Sequence, residues 1–105
     1  LEYAFGLLKP VLFIDVPRKV NNPDYERVGC EPLEVFIRHQ IGRVLAPKQL
    51  DQLAVQVAAL LVDPPSWQDK IQAARDRWVY HVGGSTAMGA DYLCSLCDGK
   101  RLWGP

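Results

Sequence analysis

The chain has 105 residues, enough for one domain with one core, and its 49% hydrophobic content is ordinary for a globular protein. Twelve Lys and Arg balance twelve Asp and Glu, so no basic surplus exists to hold a phosphate backbone, and nucleic acid is not an expected partner. No run approaches the ~20 apolar residues that span a bilayer, and the start lacks the basic and apolar stretches of a secretory signal.

The three cysteines, Cys30, Cys94 and Cys97, are odd in number and sparse, which fits a reducing compartment and a cytoplasmic protein. With Leu1 at its start and Met88 its only methionine, the chain is expected to be a single-domain piece of a longer protein.

In chain order, Glu2 to Leu8 reads as the tail of a helix ended by Lys9-Pro10, because proline disfavours helix in the residue before it. Val11 to Asp15 is a continuous β-branched and aromatic run without polar alternation, as expected of a strand covered on both faces. Helix, proline break and buried strand together predict a parallel α/β sheet. Pro17 to Gly29, with two prolines, Asn21-Asn22 and several charges, reads as a surface loop leaving the carboxyl end of that strand.

Leu33 to His39 suggests a short helix with a Glu34–Arg38 ion pair at i,i+4, and Ile41 to Leu45 a second strand. Over Lys48 to Val62, Leu50, Leu53, Ala54, Val57, Leu60 and Leu61 share one face of an amphipathic helix. Asp63-Pro64-Pro65 stops it, Ser66 is the expected cap of the next helix, and Trp67, Ile71, Ala74 and Trp78 mark that helix's buried side. The two are expected to lie antiparallel across a tight turn. Gly83-Gly84 breaks the pattern, Ser85 or Thr86 caps a third helix with a buried stripe of Ala90, Leu93, Cys94 and Cys97, and 99–105 reads as a frayed tail.

Ligands of open α/β sheets bind at the carboxyl ends of the strands, so the loop Pro17 to Tyr25 is the first candidate site. Arg18 and Lys19 suit phosphate; Asn21 and Asn22 suit hydroxyls or a base edge, or else make turns. Gly83-Gly84-Ser85-Thr86 offers backbone N–H groups and hydroxyls at a helix start, an anion site in principle, without the spacing of a P-loop or dinucleotide fingerprint. Cys94-x-x-Cys97 reads as buried thiols and not as a metal site, since a structural zinc needs four ligands. His39 and His81 are isolated and read as structural. No catalytic residue, metal or cofactor is expected.

The stretch Glu2-Tyr-Ala-Phe-Gly-Leu-Leu-Lys-Pro-Val-Leu-Phe-Ile-Asp15, a helix reading E-x-A-x-x-x-x-K-P before a strand, resembles the donor-nucleotide domain of GT-B transferases and related epimerases. Its continuation through Val16 to Glu26, with Glu34, Arg38 and Gly42, looks like bacterial proteins of the CDP-glycerol glycerophosphotransferase type, which build teichoic-acid or capsule-like polymers at the inner face of the membrane. The resemblance covers roughly Leu1 to Gly42. It implies a partial Rossmann-like piece, with a short parallel sheet and three or four helices, cut from a donor domain. It also nominates Glu2 for the donor ribose, with Tyr3 occupying the alternative register.

The resemblance implies a parent that transfers a glycerol-phosphate or glycosyl group from CDP-glycerol or a nucleotide sugar. The partners are then that donor and the rest of the parent chain, with peripheral membrane association of the parent. The catalytic histidines and acceptor domain would lie outside this piece, leaving it inactive alone. The competing expectation is a non-catalytic α/β module that docks a partner through the Lys48 to Val62 helix.

Overall fold

The structure, a computed structural model, describes residues 1–98; the tail expected at 99–105 lies outside them. Helix α1 (Glu2–Leu7) ends where Leu8 adopts the left-handed conformation, φ 53° and ψ 40°, and Pro10 then directs the chain into strand β1 (Val11–Ile14). A long loop with one 3₁₀ turn at Tyr25–Val28 leads to α2 (Leu33–Phe36) and α3 (Arg38–Ile41), two halves of one helical stretch broken at Ile37. Strand β2 (Gly42–Leu45) follows directly.

The two strands are parallel, Val11 opposite Gly42 and Ile14 opposite Leu45. This strand, helical crossover and parallel strand make the α/β character predicted from the sequence. Gly42 sits where the strands approach most closely: a Cβ there would fall inside the Val11 backbone, meeting its carbonyl oxygen and, at 2.8 and 2.9 Å, its C and N atoms. Only glycine admits that approach.

The burial of β1 corrects the sequence expectation. Val11, Leu12 and Phe13 are half-buried and Ile14 is exposed, because a sheet of two strands is too narrow to be roofed on both faces. The core is carried instead by Ile37, Ile41 and Leu45, nearly fully buried, together with Ala4, Phe5, Leu60, Ile71 and Ala74. Arg38 also departs from expectation: it pairs with Asp15 at 2.9 Å and not with Glu34.

After β2, Pro47–Gln52 forms a 3₁₀ turn in which Gln49 is non-helical, φ −112° and ψ 22°. The true helix, α4 (Leu53–Leu61), is therefore shorter than predicted, and its buried side is rotated. Leu60 is buried, while Leu50, Leu53, Ala54, Val57 and Leu61 are exposed. Leu-Ala-Val-Gln-Val-Ala-Ala-Leu-Leu is apolar nearly all round, so its periodicity selects no single face. Gln56, one turn before Leu60, faces β2, its Oε1 accepting from Arg43 Nη1 at 3.1 Å.

Helix α5 (Pro64–Trp78) buries Ile71 and Ala74 and half-buries Trp67 and Trp78, as the spacing predicts. Its start differs: both prolines lie in the first turn, where no N–H is missed, and Asp63 rather than Ser66 is the cap, its Oδ1 accepting from the Ser66 N–H at 3.1 Å. Arg75 ties α5 to α1 by donating from Nη1 to the Phe5 carbonyl at 3.0 Å.

The chain divides into two compact units, Leu1–Arg75 and a second beginning at Asp76. The second carries α6 (Ser85–Cys97). Gly84 occupies the N-cap position and no side chain caps the helix, so Ser85 and Thr86 fall inside its first turn, not at the cap. The predicted buried stripe is also corrected. No residue of α6 is buried, and Cys94 and Cys97 are exposed, because helical spacing marks a face without supplying a surface to cover it. No described helix is long and apolar enough to cross a membrane.

Candidate functional site

The site is built from the segment that leaves β1. The Asp15 N–H extends the sheet by one bond to the Leu45 carbonyl, 2.9 Å, and the Val16 N–H then bonds back to Ile14 at 2.8 Å, which bends the chain away from the sheet. Both bonds lie at the carboxyl end of the parallel strands, the edge at which α/β sheets receive ligands. At the same point Arg38 reaches up from α3 to Asp15, its guanidinium 5.5 Å from the Phe13 ring centre. The base of the loop is thus held by an ion pair and a cation–π contact together.

The loop folds on itself through local polar bonds. Asn22 Oδ1 accepts from the Asp24 N–H at 2.9 Å, and the Tyr25 N–H donates to the Asn22 carbonyl at 3.2 Å, an Asx turn of the kind asparagine favours. Gly29 closes the following 3₁₀ turn with φ 70°, a left-handed conformation natural to glycine. This reversal brings the returning arm opposite Arg18. Arg18, Tyr25, Glu26, Cys30 and Glu31 line a shallow cleft of about 570 Å³.

Of the candidate binding residues Glu2, Arg18, Lys19, Asn21, Asn22, Ser85 and Thr86, Arg18 alone lines this cleft, together with Tyr25 at the end of the candidate loop. Lys19 and Asn21 are exposed on the same loop outside its wall, and Asn22 spends its oxygen on the turn. Glu2 is fully exposed at the start of α1, 3.4 Å from the amino group of Leu1. Its carboxyl is held below the usual carboxylate range, first by a hydrogen bond to its own backbone N–H and then by that amino group. Ser85 and Thr86 belong to the other unit.

Sequence reasoning missed Glu26, Cys30 and Glu31 as cleft residues. The available signal was the Asn22-Pro-Asp-Tyr25 reversal, which folds the charged return arm back toward Arg18.

The cleft brings one guanidinium together with two carboxylates and a phenol. Arg18 offers a planar, permanently charged fork for phosphate or carboxylate. The carboxylates of Glu26 and Glu31 accept from hydroxyls, and the Tyr25 hydroxyl donates to Glu26 Oε1 at 3.3 Å.

A second hollow, about 640 Å³, lies between the α1–β1 turn and the α4–α5 junction, walled by Leu7, Leu12, Val57, Leu60, Leu61 and Pro64 among others. Its lining is mainly apolar, with Tyr3, Lys9 and Gln68 as the polar members. Among the described residues no group of three or more His, Cys, Asp or Glu is arranged to hold a metal. No family model matches this chain, and no curated protein or solved structure is significantly similar to it.

Proposed function

We propose that the chain is part of the donor-binding domain of a nucleotide-dependent transferase, a partial Rossmann-like piece of GT-B type. Its parent would move a glycerol-phosphate or glycosyl group from a cytidine or uridine diphosphate donor in cell-surface polymer synthesis at the inner face of the membrane. The observation that carries this reading is the position of Arg18: on the loop that leaves the carboxyl end of a parallel strand, in a cleft with Glu26 and Glu31. A phosphate held by Arg18 leaves the glutamates to accept from glycerol or ribose hydroxyls, which the chemistry of a polyol phosphate requires. Lys19 and Asn21, exposed on the same loop, would supply further donors, and on this reading the piece would bind a donor without turning it over.

Equilibrium titration with CDP-glycerol, CMP and UDP tests this. The reading expects saturable binding that Arg18→Ala weakens by about tenfold or more, the worth of a charge-assisted bond, with a smaller effect from Lys19→Ala. Binding that ignores Arg18, or no binding at millimolar nucleotide, counts against it.

A second reading is favoured by one observation, the exposure of Val55, Val57, Leu61 and Val62 on and beside α4. On that reading the chain is a non-catalytic module whose α4 docks another protein segment, such as the rest of its own parent chain. Nucleotides would then leave the chain unaffected, while substitutions on α4 would abolish association with that segment.

A further inference from the structure

Cys94 and Cys97 are three residues apart on α6, and both are exposed as free thiols. Positions i and i+3 of a helix project from one face on successive turns, with Cβ atoms about 5–6 Å apart. Two thiolates on either side of a linear ion stand about 4.6 Å apart, twice a metal–thiolate bond of about 2.3 Å. That spacing puts both sulfurs within reach of one ion by side-chain rotation alone. Cys30 lies far off in sequence, in the other unit, and is a single exposed thiol.

The geometry points to a chelating dithiol at Cys94 and Cys97 that binds one soft, thiophilic cation of the Cu(I) class. Soft thiolates select such ions. A d¹⁰ monovalent ion is content with two sulfur ligands, whereas zinc seeks four. No described His, Cys, Asp or Glu forms a group of three with the pair. That shortage of further ligands is what favours a low-coordinate ion over zinc. The step is ligand exchange without redox change: each thiol gives up its proton, two sulfur–copper bonds form, and two protons pass to solvent for each ion bound. Binding accordingly releases protons, so affinity rises with pH.

The test is an anaerobic titration of the reduced full chain with Cu(I) against a chromophoric chelator. Helix content is followed in parallel by circular dichroism. The inference expects one Cu(I) per chain in the parent and in Cys30→Ser, and at least about 100-fold weaker binding in Cys94→Ser or Cys97→Ser, because the second thiolate acts as a tethered ligand.

Register supplies the sharper check. Cys97→Ser combined with Asp91→Cys restores an i,i+3 pair around Cys94 and should restore binding, whereas Cys97→Ser with Tyr92→Cys places the thiols two residues apart and should not. Binding that survives Cys94→Ser, that disappears with Cys30→Ser, or that treats both register variants alike overturns the inference.

Discussion

Arg38 Nη1 donates to Asp15 Oδ1 across 2.9 Å, joining the crossover helix to the first residue beyond β1. The Asp15 side chain is 59% exposed and that of Arg38 only 21%, so the two ends of this bond are unequal. Asp15→Ala removes a largely hydrated partner and should cost no more than about 1 kcal/mol. Arg38→Ala also removes the stem and guanidinium packed over Phe13 and should cost about 1–2 kcal/mol. Urea unfolding of the single and double variants gives the coupling directly, and equal losses from both single variants would contradict this ordering.

Gly42 and Gly89 should respond oppositely to alanine. At Gly42 the added Cβ would enter the Val11 backbone, so Gly42→Ala must part the strands, at a cost of about 3 kcal/mol or more. Gly89 lies within α6 with nothing within 4 Å of its missing Cβ, and Gly89→Ala should stabilise that helix by about 0.5–1 kcal/mol. Amide exchange at Leu12 to Ile14 reports the first effect, and helical circular dichroism the second.

The start of α5 is capped by Asp63 and not by Ser66. Asp63→Ala should therefore lower stability by about 1 kcal/mol, while Ser66→Ala should stay within about 0.5 kcal/mol of the parent. Thermal melts of the two variants decide between the residues.

The rotated face of α4 makes neighbouring leucines unequal. Leu60 is 7% exposed and Leu61 69%. Leu60→Ala should cost about 2–4 kcal/mol and Leu61→Ala less than about 1 kcal/mol, measured by denaturant unfolding. Equal losses would restore the face expected from periodicity.

These pairs also show where the fold was legible in the sequence. The strand at Val11–Ile14 was readable because an apolar, β-branched and aromatic run after Pro10 has few alternatives, whereas the second, expected over Ile41 to Leu45, starts one residue later at Gly42. The α5 stripe was readable because Trp67, Ile71, Ala74 and Trp78 stand among polar residues. In α4 the polar residues that would mark an outer face are nearly absent, and on α6 a regular stripe exists without being buried.

The loop after β1 was legible as a location, since its prolines and asparagines exclude strand and helix. Its inner arrangement was not, because the Asn22 turn decides which charges meet Arg18. The exposure of Cys94 and Cys97 was equally hidden, since thiols at helical spacing look alike whether covered or bare.

The central claim is that the loop beyond β1 holds a phosphorylated polyol through Arg18, and amide NMR of the chain titrated with CDP-glycerol, CMP and UDP tests it most directly. The account predicts saturable shifts concentrated between Val16 and Glu31, largest with CDP-glycerol and needing about tenfold or more higher nucleotide concentration in Arg18→Ala. A well-dispersed spectrum left unchanged by all three nucleotides, or shifts gathered along α4 with the loop silent, would contradict it.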